Sequence, residues 1–131
     1  MTLEQYSTDN AAAPHRAAAW SSIIAETYFP LHLSFRSPET FRGRLSRREM
    51  GQISVSRLST EPLQFERRPH HIKSATEEEY LVTIPLKSPV VFRQLGKEVR
   101  CDPGGFILER GDEPYRFSYE SCADLYAVSY T

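Results

Sequence analysis

No apolar run in this sequence comes near the roughly 18 residues that a membrane-crossing helix needs, so a helical membrane protein is excluded and a soluble one expected. Met1 to Asn10 has no basic start followed by an apolar stretch and a small-residue cleavage site, so it does not read as a signal peptide, and a cytoplasmic location is expected. Cysteine is scarce. Cys101 and Cys122 lie far apart with no partner motif, and in a reducing compartment they are expected to be free thiols. Positive charge is not in excess either: 16 basic residues stand against 17 acidic ones, a net charge of −1, whereas a phosphate-gripping domain carries a clustered basic surplus. The chain is thus a poor DNA binder by itself. Its densest basic stretch, Arg36, Arg42, Arg44, Arg47 and Arg48, alternates in part with Phe41, Gly43 and Leu45, which is the pattern of a strand with one solvated face. With only six glycines there is no phosphate-cradling loop, since Pro103-Gly104-Gly105 lacks the following helix and lysine.

What is present is one ordinary domain's worth of chain: 131 residues, 40% hydrophobic and 25% charged. A leading helix is expected over residues 10–29. The stretch is alanine-rich, Asp9 or Asn10 is available as a cap, and Pro14 is acceptable in a first turn. Ala17, Trp20, Ile24 and Tyr28 give it one face to lay against a sheet, and Pro30 ends it. From residue 31 to 131 the period changes from about 3.6 to 2, with turn residues at short intervals. Leu31, Leu33 and Phe35 alternate with polar residues; Phe41 to Leu45 and Ile53 to Leu58 follow around Met50-Gly51; Leu63 and Phe65 share a face. Tyr80, Val82, Ile84 and Leu86 form the cleanest alternation, in which Pro85 calls for an edge position or a bulge. Val90 to Arg93 and Lys97 to Cys101 flank the short turn Gln94-Leu95-Gly96. Phe106 to Glu109, Tyr115 to Tyr119 and Leu125 to Tyr130 complete about nine antiparallel strands. The expected fold is mainly β, an antiparallel barrel or sandwich behind an N-terminal helix.

Several motifs follow one another in a particular order: Trp20 in the helix, Phe41-Arg42-Gly43-Arg44-Leu45, Met50-Gly51-Gln52-Ile53-Ser54-Val55, Tyr80-Leu81-Val82-Thr83-Ile84-Pro85-Leu86 and Gln94-Leu95-Gly96-Lys97, then Pro103-Gly104-Gly105 and Pro114-Tyr115. This succession resembles the cupin-like ligand-binding domain that precedes a paired helix-turn-helix domain in AraC/XylS-type bacterial transcription regulators. Each motif alone is common; their order carries the resemblance. It implies a cupin-like barrel over the single domain 1–131 that binds a small organic effector, with DNA contacted only through a C-terminal domain missing from this chain. It also implies a homodimer only for the full-length protein, whose pairing helices follow the barrel. Gly105 departs from the pattern, standing where the family often has an acidic residue.

Two other readings stay open: a small cupin metalloenzyme of isomerase or dioxygenase type, and a barrel that binds only another protein. A metal site needs histidines and carboxylates converging inside the barrel. The four histidines are His15, His32, His70 and His71. The last two are adjacent and would point to opposite faces of a strand, and the segment after Pro103-Gly104-Gly105 reads as core, Phe106-Ile107-Leu108. Glu77-Glu78-Glu79 reads as a solvated run, and no nucleophile sits in a glycine-flanked turn. Neither catalysis nor a cofactor is expected.

A sensing barrel needs aromatic walls and a few polar groups that fix orientation. Tyr115, Phe117 and Tyr119 share one strand face, Tyr126 and Tyr130 another; Tyr80 begins the cleanest strand, Phe65 shares a face with Leu63, and these aromatics, Tyr130 excepted, are the candidate ligand contacts. If the effector is an acid, an inward arginine should meet its carboxylate, and Arg57, Arg67 and Arg93 are the candidates.

Overall fold

The computed structural model describes residues 2–28, 30–72 and 80–130. Among these, eleven strands, numbered in chain order, form two antiparallel sheets. The first sheet runs β1 (Thr2–Ser7), β3 (Gly43–Met50), β4 (Ile53–Thr60), β11 (Ala123–Tyr130), β6 (Tyr80–Pro85) and β9 (Ile107–Arg110) in spatial order. The second runs β2 (His32–Phe35), β5 (Leu63–Arg67), β10 (Tyr115–Tyr119), β7 (Val90–Gln94) and β8 (Lys97–Cys101). Their inner faces, with Trp20 and Ile24 of α1 (Arg16–Thr27), make one core. Strict alternation drives this arrangement: β11 buries Ala123, Leu125, Ala127 and Ser129 and turns the residues between them outward.

The helix is shorter than the sequence suggests. Pro14 lies in a 3-10 turn, Ala13–His15, and the α-helical ladder begins only at Arg16. An earlier 3-10 turn, Thr8–Asn10, is capped by Ser7, whose Oγ accepts from the Asp9 amide. The fully buried Thr8 hydroxyl accepts from the Gly43 amide at 3.0 Å, tying this turn to β3. Gly43 is needed for another reason: a Cβ there would stand 2.9 Å from two ring carbons of Trp20. The indole packs against the bare backbone of Gly43, which lets α1 seat this close to β3.

Strand β1 was not anticipated from the sequence. It pairs with β3 at the edge of the first sheet, and its apolar Leu3 faces outward, so no inward apolar rhythm announces it. The alternation of β6 is also inverted relative to expectation. Leu81, Thr83 and Pro85 point inward, while Tyr80, Val82 and Ile84 point outward. Nor is β6 an edge: it lies between β11 and β9, and Pro85 is accommodated because β9 pairs only with Tyr80 to Thr83. The Leu86 amide resumes the contact with β11 by donating to the Asp124 carbonyl. Of Phe106-Ile107-Leu108 only Ile107 is core; Phe106 and Leu108 are 69% and 58% exposed. His70 and His71 belong to a single helical turn, α2 (Pro69–Ile72), just after β5, with ring centroids 4.0 Å apart, and not to a strand. The Glu77-Glu78-Glu79 run lies outside the described residues.

The outward row Leu3, Arg48, Val55, Val128, Val82, Leu108 crosses all six strands of the first sheet and is apolar but for Arg48. Antiparallel sheets with one solvated face usually alternate apolar and polar. The β7–β8 turn places Leu95 and Gly96 at positive φ, 54° and 74°, as a two-residue turn of the kind that follows strand twist requires.

Candidate functional site

Small side chains in the middle of the first sheet face large ones in the second. Ala127 of β11 pairs with Thr83 of β6, and both point inward. Opposite them stand Phe65, Phe117, Tyr115 and Tyr119, with Phe65 and Phe117 side by side in register on β5 and β10. The mismatch leaves a cavity of about 50 Å³, closed on another side by Ile24 and Tyr28 at the C-terminal end of α1 and by Leu31. A water takes roughly 10–15 Å³ by this measure, so the space holds about four water-sized groups.

The walls are aromatic and aliphatic apart from one carboxyl. Glu109 of β9 points inward, 4% exposed, and lines the cavity with Thr83. The Thr83 hydroxyl donates to Glu109 Oε1 at 2.8 Å. Burial pushes the Glu109 carboxyl up to about 8, against the smaller lowering effect of that hydrogen bond. Tyr119, raised chiefly by burial and then by the Glu109 carboxylate, and Tyr28, raised by burial, both stay protonated at neutral pH. The Tyr28 hydroxyl lies beside Ser56, but the two do not close a hydrogen bond, and both oxygens are buried without a partner among the described residues. Beyond the cavity, toward the same end of the first sheet, Ser54 and Ser129 hydrogen-bond side chain to side chain across β4 and β11. Such a cavity can offer a buried proton, or a buried negative charge, to whatever enters it.

The expected site residues divide sharply. Phe65, Tyr115, Phe117 and Tyr119 come together as walls of the cavity. Arg57, Tyr126, Tyr80 and Arg93 do not join them. Arg57 is exposed on the outer face of β4, where it forms a two-pronged pair with Asp124 at 3.0 and 3.1 Å and lies over the Tyr126 ring at 5.7 Å. Tyr80 and Tyr126 follow the outward alternation of β6 and β11, and Arg93 is exposed on β7. Arg67 is buried, yet it serves the frame: Nε donates to the Gly111 carbonyl at 3.1 Å and Nη1 to the Pro30 carbonyl at 2.9 Å. The residues that sequence reasoning missed are Glu109, Thr83 and, as cavity wall, Tyr28. The available signal for Glu109 was its spacing of two from Ile107, which puts an acid on the buried face of a strand.

Among the described residues no three histidine, cysteine, aspartate or glutamate side chains gather where a metal ion could sit. No helix among them is long and apolar enough to cross a membrane.

The chain matches the AraC-binding-like domain family over residues 20–130. It belongs to that family. This AraC-binding-like domain is 26% identical over 113 residues to an uncharacterised protein encoded in the nit 5′ region of Bacillus sp. strain OxB-1, covering 86% of the chain and 44% of that protein. Its fold is shared with the AraC-like transcriptional activator CuxR, at a TM-score of 0.82 and 14% identity, over 97% of the chain and 46% of CuxR. Other solved structures follow at lower similarity. One is the Cupin_2 domain of an XRE-family transcriptional regulator from Enterobacter cloacae, with TM-score 0.52, 9% identity, and coverage of 68% of this chain and 96% of that one. Another is a putative ethanolamine utilization protein of Salmonella typhimurium LT2, with TM-score 0.53, 10% identity, and coverage of 67% and 68%. The fold is therefore cupin-like, and the domain spans less than half the length of CuxR and of the Bacillus protein. Family membership and the fold shared with an AraC-like activator support a ligand-sensing regulatory domain.

Proposed function

We propose that this AraC-binding-like domain holds a small organic effector in the cavity between its sheets, without a catalytic step and in the cytoplasm. Its occupancy would control a C-terminal helix-turn-helix DNA-binding domain of a longer, homodimeric protein. The observation that carries the reading is the cavity itself: aromatic walls around one buried, hydrogen-bonded carboxyl is the composition of a ligand site, apolar with few convergent polar groups. An effector acts by binding one of two states more tightly, so occupancy must be coupled to a shift between them. The arginines expected to grip an aromatic acid lie outside the cavity lining, so the acid preference falls away. The test is calorimetric titration of the domain with a panel of small amines, alcohols, amides and acids, repeated on Ala127→Leu, which fills the cavity. Saturable binding lost in Ala127→Leu supports the reading; no binding by any member of the panel overturns it.

A second reading, a barrel that binds another protein, is favoured by the outer row from Leu3 to Leu108, apolar but for Arg48. In a longer regulator, Ala127→Leu would then leave the regulatory response intact, whereas Val82→Lys on the outer face would abolish it. The effector reading expects the response to be lost in Ala127→Leu.

A further inference from the structure

The chemical class of the effector can be read from the groups that the cavity offers, taking the effector reading as given. Among the described residues every polar side chain on its lining, Glu109, Thr83, Tyr28, Tyr115 and Tyr119, is a carboxyl or a hydroxyl, and none is an arginine, lysine or histidine. Thr83 already spends its proton on Glu109 Oε1, which leaves Oε2 without a side-chain donor among the described residues. The Tyr28 hydroxyl, buried and without a partner there, adds a second oxygen at the same cavity. Among the described residues no ion pair includes Glu109, so no protein cation has been shown to neutralise it. The remaining wall is Phe65, Phe117, Tyr115 and Tyr119, whose ring faces carry negative partial charge.

We propose that the effector is a small primary amine bound as its ammonium ion, with the nitrogen on Glu109 and the carbon tail against the aromatic wall of β5 and β10. An ammonium has three donors and no acceptor, which suits a lining whose described polar side-chain atoms are all oxygens. A carboxylate would face the Glu109 carboxyl with no cation among the described lining residues to hold it. A neutral alcohol would make the hydrogen bonds but gain nothing from ring faces or from the buried charge. Size narrows the class further: room for about four water-sized groups corresponds to a molecule of roughly four non-hydrogen atoms.

Binding must also move a proton. The carboxyl stands at about 8 in the empty cavity, so at neutral pH it is mostly protonated and must ionise to meet an ammonium ion. The titratable neighbours that share the cavity are Tyr115 and Tyr119 on β10 and Tyr28 after α1; burial holds Tyr119 and Tyr28 protonated through this range, Arg47 of β3 lowering Tyr28 by less than burial raises it. Glu109 is thus the group that titrates.

The experiment compares n-propylamine with its near-isosteres propionate and n-propanol by calorimetry between pH 6 and 9, on the unaltered domain and on Glu109→Gln, Tyr28→Phe and Ala127→Leu. Propylammonium should bind tightest, with affinity rising about tenfold per pH unit up to pH 8 and levelling above it, and with close to one proton released per ligand at pH 7. Glu109→Gln should weaken it at least thirtyfold and abolish the proton release; Tyr28→Phe should weaken it about fivefold to tenfold, and Ala127→Leu should eliminate it. Tighter binding of propionate or propanol overturns the amine assignment while leaving an effector cavity in place. Absence of propylammonium binding overturns it whatever else binds, and absence of all binding across the wider panel removes the effector reading as well. Propylammonium binding that survives Glu109→Gln undiminished also overturns it, because the ion would then sit elsewhere.

Discussion

The Thr83 hydroxyl donates a hydrogen bond to Glu109 across two neighbouring strands, β6 and β9, at a donor–acceptor distance of 2.8 Å inside the core. A carboxyl held this way, in a cavity walled by rings, favours its neutral form: desolvation raises its pKa further than one hydroxyl donor can lower it.

That balance makes stability depend on pH with a definite sign. In the unfolded chain Glu109 loses its proton around the ordinary value of 4.5, and in the folded domain only around 8. Between these values the folded state holds more protons, so its contribution is fully present below about pH 4.5 and is lost as pH rises, by about 1.4 kcal/mol per unit, until it levels above pH 8. Urea melts of the unaltered domain and of Glu109→Gln across pH 5 to 9 should differ in slope by this amount. Parallel curves would show that the carboxyl is ionised throughout.

Gly43→Ala should destabilise the domain by about 2–4 kcal/mol. The added methyl meets Trp20 ring carbons at 2.9 Å, and the indole is wholly buried, so the helix or the strand must shift. Thermal unfolding read by tryptophan fluorescence would report both the loss and the altered environment of the ring, the single tryptophan of the chain.

Leu95→Asn should stabilise by about 0.5–1 kcal/mol. Leu95 is 65% exposed and has φ of 54°, a left-handed conformation that leucine adopts at a cost and asparagine tolerates. A shift of the denaturation midpoint with unchanged denaturant slope is the expected signature.

Arg67→Met should cost about 2–4 kcal/mol, because it keeps the bulk but leaves the Gly111 and Pro30 carbonyls without their charged donor. Hydrogen exchange should then rise first around residues 30 and 111. An unchanged midpoint would show that the guanidinium does not hold these two connections.

Much of this fold could be read from the sequence because alternation is a property of the chain itself. The aromatic wall was found that way: Tyr115, Phe117 and Tyr119 share a face in any strand, and that face had to be buried somewhere. The polar half of the cavity was harder. In β6 the outward face, Tyr80, Val82 and Ile84, is as apolar as an inward one, so hydrophobicity alone assigned the wrong side and hid Thr83. Glu109 was hidden by the same inversion one strand away, where exposed Leu108 looks like core and the buried residue is an acid. The candidate arginines lie outside the cavity lining for a different reason. Which face a strand arginine takes depends on its register with neighbours, and the pairing of Arg57 with Asp124 joins residues 67 positions apart.

The cavity exists because Ala127 and Thr83 are small on strands whose backbone is regular, opposite rings on β5 and β10. Its dimensions therefore reside in side-chain methyl and hydroxyl groups rather than in a loop or a break in the ladder. A relative with this fold could admit a longer or shorter guest by exchanging alanine for glycine, serine or valine at this one position, with every interstrand hydrogen bond kept, so guest size can diverge among such domains faster than their architecture does.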